Sequence, residues 1–428
     1  MTAPPRSVAA AAALAVLIAG CTVDLGGDAG GTGTASSTAA STGSGGTTGT
    51  VSTAPSGTST GSGTVSSTGG VTGSDTAGSD TAGSDGTGAQ PTPSTADPTA
   101  VVGTEVVARN LAVPWDVVRL PDGSHLVSLR DEARIVHVER SGAVSAVPAS
   151  GPDGRVPDVE PAGEGGLLGL AVDPEDSTAV YAYFTAAEDN RVVRMRYADG
   201  RVGEPTVVLR GLPKAVVHNG GRIAFGPDNQ LYVATGDATE RGGAQDRGYL
   251  GGKILRITRD GQPSPGNPFP GSPVWSYGHR NVQGIGWDGA GRLFASEFGQ
   301  NTWDELNQVL PGRNYGWPEV EGPGTAEDSA RGFTPPLASW RTDEASPSGL
   351  AVGRGAVWLA ALRGERLWRV PLDADGRTGQ PAALLQGRLG RLRDVEVEPD
   401  GSLLVLTNNT YRGSPAADDD RLVRLRLG

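Results

Sequence analysis

Three short strings hold the side chains best suited to chemistry. The first is His218-Asn-Gly-Gly-Arg-Ile-Ala-Phe225, whose histidine is one of only four in the chain. Its two glycines let the backbone turn sharply and approach another group closely. The strand that follows ends in Gly236-Asp237. A carboxylate there can orient an imidazole and stabilise its charged form, the arrangement a general base needs. The second string is Tyr277-Gly-His279-Arg280-Asn281-Val-Gln-Gly284. The third runs Ser296-Glu297-Phe-Gly299-Gln300-Asn301, then Asp304-Glu305-Leu-Asn307, with Asn314-Tyr315-Gly-Trp-Pro318 beyond it. Acidic side chains together with loop carbonyls suit a hard cation such as calcium. His125 and His137 lie in strand-like runs and read as surface residues.

A repeating frame must position these strings. From Val101 onward a turn of Pro-Asp or Asp-Gly type recurs, followed by a short apolar strand. The six blocks are 120–129, 172–184, 226–235, 287–296, 352–361 and 398–407, spaced by roughly 45–65 residues. A short strand precedes each block and another follows it, as in Arg366-Leu-Trp-Arg-Val370. Three or four short strands per repeat predict an all-β fold, a six-bladed β-propeller with few helices. Such a fold places its sites in loops around the central channel.

Composition bounds the rest. The chain has 428 residues with 66 Gly, 31 Pro and a net charge of −12. An acidic body argues against a broad nucleic-acid or anionic-membrane surface. One cysteine, Cys21, excludes a disulfide framework within one chain. Residues 1–21 contain Arg6, then small and apolar residues ending Leu17-Ile-Ala-Gly-Cys21. This resembles a bacterial lipoprotein signal in which Cys21 receives lipid, and two acyl chains hold a membrane where one barely does. Residues 22–100 are nearly all Ser, Thr, Gly and Ala, with six Asp and no Lys or Arg. They lack the apolar mass to offset ordering entropy and read as a disordered tether with a reach of about 50 Å. The propeller is expected over 101–428.

Taken together, the strings resemble the soluble quinoprotein sugar dehydrogenases, the glucose/sorbosone dehydrogenase family. The likeness runs from about Asn110 to Gly428. Gly163-Glu164-Gly-Gly-Leu-Leu-Gly169, Ser346-Pro-Ser-Gly349 and Arg391-Leu-Arg393-Asp394 complete the set, in the family's order. The resemblance implies pyrroloquinoline quinone and calcium as cofactors. It makes His218 the general base, Asp237 its orienting carboxylate, and Arg280 and Asn281 contacts of the quinone. Arg280 would also stabilise charge on the quinone oxygen. Main-chain carbonyls of Gly299 and Gln300 would hold the cofactor's calcium, and Glu305 and Tyr315 a second, structural one. Arg391 and Arg393, alternating on a strand-like segment, would face the trianionic cofactor. Arg363 stands where many members carry Lys, Glu164 where some carry Gln, and Asn408 where some carry Asp. A carboxylate at 164 beside a trianion is unfavourable unless protonated or turned away. Trp340 falls near a family aromatic that packs over the substrate.

The resulting expectation is an extracytoplasmic, lipid-anchored dehydrogenase oxidising aldose sugars at the anomeric carbon to lactones. Electrons would pass to an external acceptor, since the chain has no Cys-X-X-Cys-His haem site. Two alternatives stand beside it. One is a non-enzymatic cell-surface propeller that binds a partner. The other is a calcium-dependent lactonase, which needs a central Glu/Asn/Asp cage that the sequence does not clearly offer.

Overall fold

The computed structural model describes residues 100–428. The expected signal (1–21) and tether (22–100) lie almost wholly outside the described residues. Over the described chain, six antiparallel sheets of four or five strands follow one another in sequence. This is the six-bladed propeller that the turn-and-strand repeat predicts. Helix is confined to Ala326–Ala330 and two short 3₁₀ turns among the described residues.

Five blades are contiguous in sequence. Blade 1 opens with Pro114–Arg119, blade 2 with Leu167–Val172, blade 3 with Ile223–Phe225, blade 4 with Val282–Trp287 and blade 5 with Pro347–Gly353. Blade 6 is shared between the ends of the described chain. Its strands Leu392–Val397, Leu403–Thr407 and Leu422–Leu427 are completed by Val101–Ala108, with Thr104 opposite Leu425. This pairing closes the ring and leaves no open seam between first and last blade.

Apolar packing follows the ring. Six hydrophobic clusters fill the six junctions between consecutive blades. In Leu403–Thr407, Leu403 and Val405 pack toward blade 5, while Leu404 and Leu406 pack toward blade 1. Period-2 alternation thus gives each central strand two buried faces, and its sequence reads as an unbroken apolar run. His125 departs from the expected surface position. It is only 2% exposed, and its Nε2 lies 3.0 Å from Glu398 Oε1 across the blade 6–1 junction.

Candidate functional site

The first strands of the six blades all run the same way. Residues just before them, and residues just after the second strands, converge on one cavity of about 350 Å³. The sequence-predicted residues Glu164, His218, Arg280, Asn281, Gly299, Gln300, Arg363, Arg391 and Arg393 all line it. Asp237 stands behind His218, fully buried.

His218 and Asp237 form a pair. Nδ1 of His218 lies 2.8 Å from Asp237 Oδ1, and Nε2 lies 2.8 Å from Arg280 Nη2. A guanidinium only donates, so Nε2 meets it with a lone pair and Nδ1 carries the proton donated to Asp237. That is the tautomer a base needs, with the unprotonated Nε2 at the cavity. Burial alone would raise the Asp237 pKa. Hydrogen bonds from His218, Thr239 N–H and Trp317 Nε1 overcome burial and hold it below the usual carboxylate range. The local backbone makes this possible. His218 itself has φ of 61°, and Gly220 has φ of 62° with no room for a Cβ, which would stand 2.5 Å from the Thr235 carbonyl carbon. The Asn281 side chain locks the turn by accepting Gly220 N–H at 2.9 Å.

Positive charge dominates the opposite walls. Arg393 is buried, donating to Gln283 Oε1 at 2.9 Å and to Asn408 Oδ1 at 3.1 Å. Burial, then the neighbouring Arg130 and Arg391, push its pKa down to about 9. Burial likewise lowers Arg391, with Arg412 adding to the effect, and burial lowers Arg280. Buried guanidinium nitrogens of Arg130, Arg280, Arg391 and Arg393 lack any hydrogen-bond partner. Unpaired, desolvated donors crowded on one cavity call for an anion with several charges. Glu164 does not oppose this. Its Oε1 pairs with Arg412 Nη1 at 3.3 Å and its Oε2 accepts His218 N–H at 3.2 Å, so both oxygens of this cavity-lining carboxylate are engaged by neighbouring groups of the protein.

Gly299 and Gln300 lie in the loop that follows the second strand of blade 4. Asp304, on the next strand, also lines the cavity, and burial raises it to about 6. Glu305 and Tyr315 meet behind this loop, with Glu297 and Glu321, around a void of about 10 Å³. Burial and then Glu297 push Glu305 up to about 8. The Tyr315 hydroxyl is spent on Gln308 O at 2.6 Å, so only its main chain remains as a donor to a cation. No group of three or more His, Cys, Asp or Glu among the described residues is arranged to hold a metal, so the candidate donors here are chiefly carbonyls. Trp340 is not at the cavity. It packs on Trp368, ring centroids 5.4 Å apart, in the blade 4–5 junction.

Residues 111–414 match the Glucose / Sorbosone dehydrogenase family. The chain belongs to that family. Its members' activity makes it an oxidoreductase, a sugar dehydrogenase. It is 30% identical over 345 residues to the aldose sugar dehydrogenase of Escherichia coli (strain K12), covering 72% of this chain and 91% of that one. Among solved structures it resembles the PQQ-bound aldose sugar dehydrogenase of Streptomyces coelicolor, with 53% identity and a TM-score of 0.72. That match covers 77% of this chain and 98% of the other. A putative oxidoreductase (glucose dehydrogenase) from Thermus thermophilus follows at 43% identity and TM-score 0.69, over 76% and 99% of the two chains.

Several residues at this sugar dehydrogenase's cavity escaped the sequence reading. Arg130, Tyr411 and Arg412 lie in loops after second strands, where the blade repeat directs attention. Arg130 sits 3.9 Å from the Tyr411 ring centroid, a cation–π contact that ties blade 1 to blade 6. Their strings carry no motif, so only the repeat position could have flagged them. Trp317 and Glu321 act through residues in other blades or loops, a relation that spacing does not reveal.

Proposed function

We propose that this sugar dehydrogenase oxidises aldoses at the anomeric carbon with pyrroloquinoline quinone as cofactor and calcium beside it. The carrying observation is the cluster of partnerless buried guanidinium nitrogens around a cavity that also presents His218 Nε2. A trianionic cofactor fits that donor set. Arg391, Arg393, Arg363 and Arg280 would hold its carboxylates and oxygens, and Asn281 would flank it. The carbonyls of Gly299 and Gln300 are suitable donors for calcium. When bound, the quinone supplies the two-electron acceptor and the calcium polarises its carbonyl.

The chain's own residues do the proton work. His218 Nε2 takes the proton of the anomeric hydroxyl as C1–H is lost as hydride, leaving the lactone. Asp237 keeps the ring oriented and stabilises the imidazolium that forms. Arg280 Nη2, released from Nε2 once that nitrogen is protonated, is free to donate to an oxygen gaining negative charge. Electrons then leave to an external acceptor. The test is reconstitution of the protein with calcium and the quinone, with glucose as substrate and an artificial dye as acceptor. Quinone uptake with dye reduction is the expected result. No uptake and no reduction with any aldose overturns the reading in favour of a binding propeller.

The protein is also proposed to work outside the cytoplasm, held by lipid on Cys21 to the outer face of the cell membrane. The support is the apolar segment that ends at the chain's one cysteine. Cys21→Ser should release the protein into the soluble fraction. Undiminished membrane association in that variant overturns the anchor.

A further inference from the structure

Glu321 lies in the loop after Trp317-Pro318, outside every string that carries the family likeness. One of its oxygens, Oε1, accepts four successive backbone N–H groups. These belong to Gln300 at 2.9 Å, Asn301 at 3.3 Å, Thr302 at 3.1 Å and Trp303 at 3.0 Å. Consecutive amides converging on one anionic atom form a nest. A nest has a second consequence. In a planar trans peptide the C=O points away from the N–H. The peptide that gives Gln300 its N–H gives Gly299 its carbonyl, and the next gives Gln300 its carbonyl. Drawing these N–H groups onto Glu321 therefore turns both carbonyl oxygens away from it.

The place they turn from is defined. Glu321 borders the small void beside Glu305 and is absent from the walls of the large cavity, whereas Gly299 and Gln300 line that cavity. The loop has no slack at its hinge. A Cβ on Gly299 would stand 1.6 Å from Trp303 O and 2.7 Å from Glu321 Oε1. Asp304 fixes the far side, with Oδ1 accepting Gly299 N–H at 2.9 Å and Oδ2 accepting Ser346 N–H at 2.6 Å.

We infer that Glu321 is a positioning residue that aims the main-chain carbonyls of Gly299 and Gln300 into the cavity for the cation bound with the quinone. The inference rests on the cofactor reading above. It makes cation affinity depend on a side chain that need touch neither cation nor quinone.

The experiment uses the full-length protein stripped of metal, with calcium and pyrroloquinoline quinone as probes. Outer partners of metal ligands typically change affinity by about 10–100-fold when removed. Glu321→Ala should therefore raise both the quinone Kd and the calcium concentration for half-maximal quinone binding by that order. Hydrogen exchange of the amides at 300–303 should quicken in the metal-free protein. Glu321→Gln keeps an acceptor oxygen at the same reach and should recover most of the affinity. A purely structural Glu321 would lower Tm and leave the calcium requirement unchanged, and that result overturns the role. If Glu321→Ala does not fold, Glu321→Asp serves, since it keeps the charge but withdraws the oxygen by one methylene. An unchanged calcium requirement there also overturns the role. Failure of the wild type to take up quinone at any calcium concentration overturns the cofactor reading and this role together. Uptake by wild type and by Glu321→Ala alike overturns this role alone.

Discussion

The two ends of the propeller channel are lined by the same six strands and carry opposite kinds of charge. At their starts lie Arg130, Arg280, Arg363, Arg391, Arg393 and Arg412, set against only Glu164 and Asp304. At their ends lies a second cavity of about 530 Å³ with Asp116, Asp394 and Glu396 around the single Arg222. Arg222 and the two aspartates of the second end are engaged with one another and with the backbone. Arg222 Nη1 bonds Asp116 and reaches Asp394 Oδ2 at 3.0 Å, and its Nε reaches Gln283 O at 2.9 Å. Asp394 accepts Val117 N–H at 3.1 Å and Asp116 accepts Leu170 N–H at 2.7 Å, which ties blades 6, 1 and 2 together. At the first end, four guanidinium groups keep buried nitrogens without partners, against one at the second. Charges that hold a propeller shut are satisfied by the protein. Charges meant for a ligand are left waiting for it. Substitutions at the first end should therefore cost function, and at the second end stability.

The sharpest test of the first half is His218→Ala. A general base contributes about 10²–10⁴-fold, so turnover should fall by that order. Quinone affinity and Tm should change little, because His218 is not among the groups that hold the cofactor or the core. Turnover equal to wild type would remove His218 from the mechanism. A Tm loss as large as that of a core variant would break the division between the two ends.

Arg222→Met tests the other half. It leaves Asp116 and Asp394 buried without their counter-ion. Breaking a buried pair by removing one partner costs about 3–5 kcal/mol. Denaturant unfolding should show a loss of that size, with the quinone Kd of the folded fraction close to wild type. Unchanged stability would mean that this cluster is not what closes the channel.

Arg391→Ala should have a smaller effect than either. Hydrogen bonds to charged groups contribute about 1.5–3 kcal/mol, equivalent to roughly 10–100-fold in Kd. The quinone concentration for half-saturation should rise by that factor, with turnover at saturation largely kept. Because Arg391 is depressed by burial and crowded by Arg412, apo-protein stability should hold or increase. A fall in stability without a change in Kd would place Arg391 with the fold-closing charges.

The contrast also explains what the sequence could disclose. The second strand of each blade is legible because it is buried on both faces, reads as a largely apolar run and is bounded by a turn, as in Leu403–Thr407. The His218 string is legible because glycines and a rare histidine stand together before a strand. Arg222 sits within that same string, yet its part in closing the channel was not apparent. It depends on Asp116 and Asp394, which lie 106 and 172 residues away along the chain. Glu321 was invisible for the same reason, since its meaning lies in four amides of another loop. His125 misled because strand position fixes which way a side chain points, and whether that side meets water depends on the neighbouring blade. Local pattern reveals what a strand or turn must be, while partners across blades emerge only on folding.

The smallest expected effect concerns pH and lies at the second end. Burial, then the Asp394 carboxylate, push Glu396 up to about 8, with Arg222 opposing and Glu398 adding to the rise. An ordinary Glu titrates near about 4.3 in the unfolded chain. Between those values the folded protein keeps a proton that the unfolded chain has lost. Folding stability must therefore decline as pH rises through that window, and the contribution is fully spent above about 8. Glu396 is half-buried on the wall of the second cavity, where water screens it in part, so the decline attributable to it should be on the order of 1 kcal/mol, well below the ~5 kcal/mol that an unscreened shift of that size would give. Glu396→Gln removes the titration. Its stability relative to wild type should increase from about pH 5 to about pH 8, read by denaturant midpoints at several pH values, while turnover stays at the wild-type level. A parallel pair of stability–pH curves would show that Glu396 is not held protonated. A change in turnover would show that the two ends of the channel are coupled.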